Sequence, residues 1–311
     1  MKKLLGLLLF ALFACNDGDI ITETIEFGNT FEACGELVLY KINTNPNESL
    51  SFQLTNPTFT IEDLLITNVD PDNAALVEVT TENPVGISVN STNILNYRSY
   101  NSSPTNLFCN DVPPTNIEIT QDYRSISGTA NFTITLTEDD NDGIPAEYED
   151  LNGNGNYYDD DTDGDGLPDF LDADDDGDNV LTINEGHNFD ETVLLTLAQN
   201  TDASATETTP DYLDNDDDGD GVLTINEEND TQDNNPLNDI TNPAAGADFL
   251  NPNVFTSVTA TSYRVHNISQ EFEVKLTFSN ISFPTINYTI FEFGTLDDSR
   301  TTTSRDFTPT F

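Results

Sequence analysis

The chain has 311 residues, of which 57 are acidic and 9 basic, for a formal net charge of −48 at pH 7. A charge of this size excludes a nucleic-acid backbone or an anionic membrane surface as an electrostatic partner. It does not impose disorder throughout, because 36% of the residues are hydrophobic, with 19 Phe and 10 Tyr, enough to build a core.

The N-terminus reads MKKLLGLLLFALFAC: Lys2 and Lys3, an apolar run from Leu4 to Phe13, then Ala14 and Cys15. The run is too short to span a membrane as a stable helix and has the order of an export signal. Leu12, Phe13, Ala14 and Cys15 resemble a bacterial lipobox, which implies cleavage after residue 14 and a lipid on the Cys15 thiol; the other reading is an ordinary secretory peptide. Residues 1–14 are then the signal peptide and 15–20 a lipidated tether. Asn16, Asp17, Gly18 and Asp19 are similar to the acidic tag that sends some lipoproteins to the outer leaflet, so the expected location is the outer membrane, lipid-anchored and facing the cell surface.

Cys34 and Cys109 are the pair that remains for an oxidising compartment. A disulfide between them would close a loop of about 75 residues, and two separate thiols are the alternative. With only His187 and His266 in the chain, a histidine- or thiolate-based metal site is not expected.

Residues 21–137 carry short alternating runs between Asn, Pro and Gly clusters, among them CGELVLYKI, ESLSFQLTN, ILNYRSY, NIEITQDY and GTANFTITLTE. Such runs predict antiparallel strands, and their spacing predicts a β-sandwich of immunoglobulin-like type. In the last run Phe132, Ile134 and Leu136 face one way while Thr133 and Thr135 face the other.

Between Arg124 and Arg264 there is no lysine or arginine, so the acids of residues 138–240 have no internal counter-charge there. Within this span LPDFLDADDDGDNVLTINE (167–185) recurs as TPDYLDNDDDGDGVLTINE (209–227), an internal repeat that preserves acid spacing, glycine and apolar tail together. Calcium makes such a positional demand, since it takes six to eight oxygens and a glycine permits the sharp turn around it. The candidate ligands fall into loops: Glu138, Asp140 and Asp142, with Glu147 and Glu149 behind; Asp150, Asn152 and Asn154, with Asp161 at the twelfth position; Asp161, Asp163 and Asp165, with Asp169 and Asp172 to close; Asp172, Asp174, Asp176 and Asp178; and Asp211, Asp214, Asp216, Asp218 and Asp220. Counted from Asp172 and Asp214, the closing glutamate of an EF-hand falls on Ile183 and Ile225, which leaves Asp178, Asp220, Glu185 and Glu227 as candidates to complete those two shells.

The run DTDGDGLPDFLDADDDGD resembles the thrombospondin type 3 repeat, over residues 138–229. The resemblance implies calcium as the ligand, loops with little regular structure, and a place among adhesive surface proteins. Val180 and Val222 depart from it where another aspartate is expected. His187 is expected at the surface, and the patch Val193–Leu197 is expected to pack on a neighbouring loop as a short helix or strand.

After Ala244, strand signals return in VFTSVTATSYRVH, QEFEVKLTFSN and INYTIFEFGTL, so residues 241–311 are expected to form a C-terminal β region that docks on the first sandwich or forms a small unit of its own. No nucleophile elbow, zinc-protease helix or phosphate loop is present, and the expectation is a protein without enzymatic activity. Two functions fit: a structural or adhesive surface lipoprotein stiffened by calcium, or a calcium-dependent module that captures a ligand such as a glycan; a hydrolase is a more distant third. The expected partners are calcium, the membrane through Cys15 alone, and a surface protein or glycan.

Overall fold

The computed structural model describes residues 25–35, 38–55, 60–80, 86–190, 198–204 and 206–311. Cys15, the leader and the tether, and the patch at 193–197, lie outside the described residues. The fold is mainly β, as the alternation predicts. Its strands are β1 (Thr30–Cys34), β2 (Val38–Thr44), β3 (Asn47–Gln53), β4 (Thr67–Val69), β5 (Val77–Val79), β6 (Ile87–Ser88), β7 (Ile94–Tyr100), β8 (Ile119–Ser125), β9 (Thr129–Asp139), β10 (His266–Ser282), β11 (Asn287–Leu296) and β12 (Thr302–Phe307). One four-residue helix, α1 (Ile61–Leu64), starts at Thr60, whose hydroxyl accepts from the Asp63 backbone N–H while the Asp63 carboxylate accepts from the Thr60 N–H. Among the described residues no helix is long and apolar enough to cross a membrane.

Ten strands form one sheet in the order β6-β9-β10-β11-β1-β2-β3-β7-β8, with β12 also on β10, while β4 and β5 pair separately. β1 is the joint: it pairs in parallel with β11 and antiparallel with β2. The two halves of the sheet thereby face each other across one core, where Phe52 of β3 meets Phe278 of β10 edge to face at 5.0 Å and Phe278 meets Phe293 of β11 at 5.4 Å. β10 shows why: Phe272, Val274, Leu276 and Phe278 are buried, and the alternating Glu273 and Lys275 are exposed.

Near the joint, the pairing of β10 with β11 slips a register between Leu276 and Thr277. Gly294 sits beside that slip with φ +119°, and a β-carbon there would lie 2.1 Å from the Asn29 carbonyl oxygen, so the joint closes only on glycine.

The C-terminal strands belong to the same sheet as the N-terminal ones. β9 and β10 pair from Thr129 opposite Ser279 to Asp139 opposite Ser269. Residues 140–265 are therefore an excursion from the end of one antiparallel pair, and both ends of the acid-rich region leave the sheet at the same place. The region is a lobe beside the sheet, not a stalk in series with it. Leu167, Phe170 and Leu171 from the lobe bury against Ala75 and Ile268, and Asn73 donates to the Gly166 carbonyl at 2.6 Å. A smaller cluster of Val180, Ala247 and Phe249 lies within the lobe.

One expected strand is absent: residues 254–265 of VFTSVTATSYRVH run without a ladder. Their backbone groups are taken up by the lobe instead, Val258 N–H by the Asn226 carbonyl, Ala260 N–H by the Asn226 side chain and Arg264 N–H by the Asn179 side chain. β-propensity yields here to side-chain acceptors already in place.

Cys34 and Cys109 form a disulfide, with Cα atoms 5.0 Å apart and a sequence separation of 75. It ties the end of β1 to the connection between β7 and β8. Reduction is expected to lower unfolding stability by about 4 kcal/mol through the longer open loop of the unfolded chain, and chemical denaturation with and without reductant measures it.

Candidate metal centres

Among the described residues the acid-rich lobe contains almost no regular structure beyond single turns of 3-10 helix, so its shape depends on side chains bonding to backbone. The recurrent device is a turn in which an aspartate accepts the N–H two residues further on. Asp140 accepts from Asp142 N–H (3.0 Å), Asp142 from Ile144 N–H (2.7 Å), Asp176 from Asp178 N–H (3.3 Å), Asp178 from Val180 N–H (2.6 Å), Asp218 from Asp220 N–H (3.1 Å) and Asp220 from Val222 N–H (2.9 Å). In each case one carboxylate oxygen is committed to the turn. The other, Oδ2, is buried and has no hydrogen-bond partner among the described residues.

The acids that carry these free oxygens converge. In centre A, Asp140, Asp142, Glu149 and Asp175 each present an oxygen within 4.8 Å of the others; in centre B, Asp176, Asp178, Glu185 and Asp217 do the same, and all eight residues are buried. Centre C brings together Asp216, Asp218 and Asp220, with both oxygens of Glu227 buried and unpartnered nearby in the chain. A fourth group, Asp161, Asp163 and Asp165, is more exposed, although Asp165 Oδ2 is buried and unpartnered.

Ionised, such clusters cannot stand alone. Two like charges 4 Å apart repel by about 4 kcal/mol at an effective dielectric constant near 20, and four acids make several such pairs. Each must hold protons or a cation. Burial, reinforced by the neighbouring acids, pushes the Glu149 and Asp217 carboxyls up to about 10 and Glu227 up to about 9, and raises Asp175, Asp176, Asp178 and Glu185 well above the usual carboxylate range.

The sign of the resulting pH dependence follows. An acid whose folded pKa is raised holds its proton in the native state while the unfolded chain has already released it, so stability falls as pH rises from about 4 to about 10. Chelator-treated protein is therefore expected to melt at a higher temperature at pH 5.5 than at pH 8. A cation that needs the carboxylates ionised should reverse that order, and differential scanning calorimetry at the two pH values checks both halves.

The structure sorts the acids named from sequence. Asp140, Asp142, Asp161, Asp163, Asp165, Asp176, Asp178, Asp216, Asp218 and Asp220 stand in the four groups. Glu138 turns away to Arg305, at 2.7 Å, and Gln270, at 3.0 Å. Asp150 accepts from Asn154 and Gly155 N–H, while Asn152 and Asn154 donate to Asp159 and Asn152 also to Asp160. Asp172 lies 2.8 Å from the His266 imidazole, Asp174 accepts from Asn179 N–H and keeps Oδ1 buried without a partner, and Asp214 accepts from Asp216 N–H.

Asp169 and Asp211 have a different task. Asp169 accepts from both the N–H and the hydroxyl of Thr162, at 2.7 and 3.0 Å, and Asp211 does the same with Thr201, at 2.7 and 2.8 Å. Asp248 repeats the arrangement with Thr241, which makes ADFLN (247–251) a further copy of the PDFLD and PDYLD turns. Both oxygens of these aspartates are occupied, so they staple one loop to the next.

Sequence reasoning left out Asp175 and Asp217 altogether, placed Glu149 only behind the first loop, and kept Glu185 and Glu227 only as candidates. A signal for the glutamates was present: counted from Asp174 and Asp216 instead of Asp172 and Asp214, the twelfth residues are Glu185 and Glu227. Gly177, at φ +69°, lies under Asp163, whose carboxylate would be 2.2 Å from a β-carbon there. Nothing local marks Asp175 and Asp217, because each serves a centre built by an earlier stretch of the chain.

A family model described as BamM C-terminal matches residues 139–193, a segment that holds every acid of centre A and all of centre B except Asp217. No curated protein and no solved structure matches the chain.

Proposed function

We propose that the chain is a calcium-binding surface lipoprotein whose acid-rich lobe is held in shape by ions in centres A, B and C. The observation that carries this is the convergence of buried, unpartnered carboxylate oxygens in two four-acid clusters. A donor set made only of oxygens, with no histidine or cysteine, suits a hard cation, and irregular loops able to adjust suit calcium better than the smaller, geometrically strict magnesium. The test is calcium titration calorimetry on chelator-treated protein with magnesium as competitor: saturable binding of at least two ions per chain that millimolar magnesium does not displace supports it, and the absence of saturable binding overturns it.

In this proposal the acids hold ions and do not move protons, so the role is structural or adhesive and not enzymatic. The lobe leaves the sheet as an insertion between β9 and β10, with Asp172 against His266 and Arg264 donating to the Asn179 carbonyl at 2.9 Å, so filled centres stiffen a surface mounted on the sandwich. A groove of about 580 Å³ in the lobe, lined by the rings of Tyr263 and Phe311 and by Asp163, Asp176 and Asp214, favours a second role, the capture of a ligand such as a glycan. A glycan array probed with calcium and with chelator separates the two, since only capture gives calcium-dependent spots.

The order of lysines, apolar run and LFAC at the N-terminus supports a lipid on Cys15 and an outer-membrane location. Metabolic labelling with a fatty-acid analogue should mark the wild type and spare Cys15→Ser. Equal labelling of both would remove the anchor from the account.

A further inference from the structure

We infer that centres A, B and C are wired in series, the loops at 174–178 and 216–220 each building one centre with even-numbered acids and completing the centre before it with an odd-numbered acid, Asp175 or Asp217. The inference rests on the proposal that the clusters bind cations, and it adds that they do not bind independently.

The observation is the alternation within two short stretches. In 174–178, Asp176 and Asp178 enter centre B while Asp175, between Asp174 and Asp176, enters centre A. In 216–220, Asp216, Asp218 and Asp220 form centre C while Asp217 enters centre B. Asp175 and Asp217 are 2% and 1% exposed, Asp175 Oδ1 and both oxygens of Asp217 have no hydrogen-bond partner among the described residues, and both backbone N–H groups are held the same way, by the Thr182 and Thr224 hydroxyls at 3.2 and 3.4 Å. The two acids occupy equivalent positions of the repeat, so the crossing is built twice.

A shared loop makes the coupling positive. Filling centre B fixes the turn that carries Asp176 and Asp178, and the same turn aims Asp175 into centre A, so the ordering cost of that acid is already met when the next ion arrives. Repulsion between ions works against this, but four carboxylates around a divalent ion leave a filled four-acid centre net negative, so filling B reduces the attraction at A without reversing it. The coupling is reciprocal, because a linkage between two binding sites has one free energy.

The test uses the full mature chain and calcium, read by NMR at Gly143, Gly177 and Gly221, one amide in each of the three loops. In wild type the three resonances should move together over one cooperative transition. Asp217→Asn removes a carboxylate from centre B only, yet it should also weaken the response at Gly143 by about 5-fold or more, the usual lower range of coupling between sites. Asp142→Asn, at the opposite end, should weaken Gly177 in return. A shift at Gly143 unchanged by Asp217→Asn, or three independent wild-type transitions, would overturn the wiring while leaving calcium binding intact. Loss of saturable binding in wild type would instead overturn the calcium proposal. Should Asp217→Asn fail to fold, Asp142→Asn decides alone, since its effect at Gly177 requires the same coupling.

Discussion

Removing calcium should expand the lobe while leaving the sandwich folded. Residues 140–265 carry their acids with no lysine or arginine until Arg264, so ions are the available counter-charge, and once chelated the clusters either repel or take up protons. At pH 8 the compact lobe must keep protons on acids such as Glu149, Asp217 and Glu227 that the unfolded chain has already released, and that cost favours expansion. A compact segment of this length has a radius of gyration near 14 Å and a free unfolded one near 36 Å; because both ends leave the same pair of strands, the expanded lobe should stop short of the free-chain value. The strand content should persist, since the core of Phe52, Phe278 and Phe293 lies between the halves of the sheet and contains no acid. Small-angle scattering and far-ultraviolet circular dichroism, with calcium and with chelator, measure the two parts separately. With calcium restored, each independent site at a hundredfold excess over its dissociation constant would contribute about 2.7 kcal/mol.

Asp178→Asn should change sign with calcium. Asp178 is fully buried, accepts from Val180 N–H with Oδ1, keeps Oδ2 unpartnered, and clusters with Asp176, Glu185 and Asp217. Asparagine keeps the turn, removes a charge and gives its neighbours a donor. Without calcium the variant should be more stable than wild type at pH 8 by about 1–3 kcal/mol, the usual cost of leaving a buried polar group unsatisfied. With calcium it should be less stable, because centre B loses one of four carboxylates. Glu207→Gln, at a half-buried acid outside the four clusters whose Oε1 accepts the Thr209 N–H and is kept by glutamine, should shift neither value by more than about 0.5 kcal/mol. A purely structural role for Asp178 would destabilise the variant under both conditions, so thermal unfolding of both proteins with calcium and with chelator separates the explanations.

How much of this was legible in the sequence depends on the reach of each interaction. The strands were, since Phe132, Ile134 and Leu136 on β9 and Phe272 to Phe278 on β10 alternate with polar residues, and period two is a local property. The acid loops were also legible, because an Asp turn closes within three residues. What escaped was non-local or depended on register. The pairing of β9 with β10 joins segments separated by the whole lobe, and no pattern in either strand names its partner. The run at 254–265 has strand composition but finds its acceptors on Asn226 and Asn179. Asp169 and Asp211 carry the same acid as their neighbours, yet a threonine earlier in the chain occupies both their oxygens. Counting the loops from Asp172 instead of Asp174 placed isoleucine where glutamate stands two residues on, and an offset of two leaves every acid still on the same side of the turn.

The most direct measurement is calcium-edge anomalous diffraction from crystals grown with calcium at pH 7.5. The account predicts anomalous peaks within carboxylate reach of Asp140, Asp142, Glu149 and Asp175, and of Asp176, Asp178, Glu185 and Asp217. Intact clusters without an anomalous peak in calcium-saturated crystals would contradict it, because the acids would then be held together by protons alone.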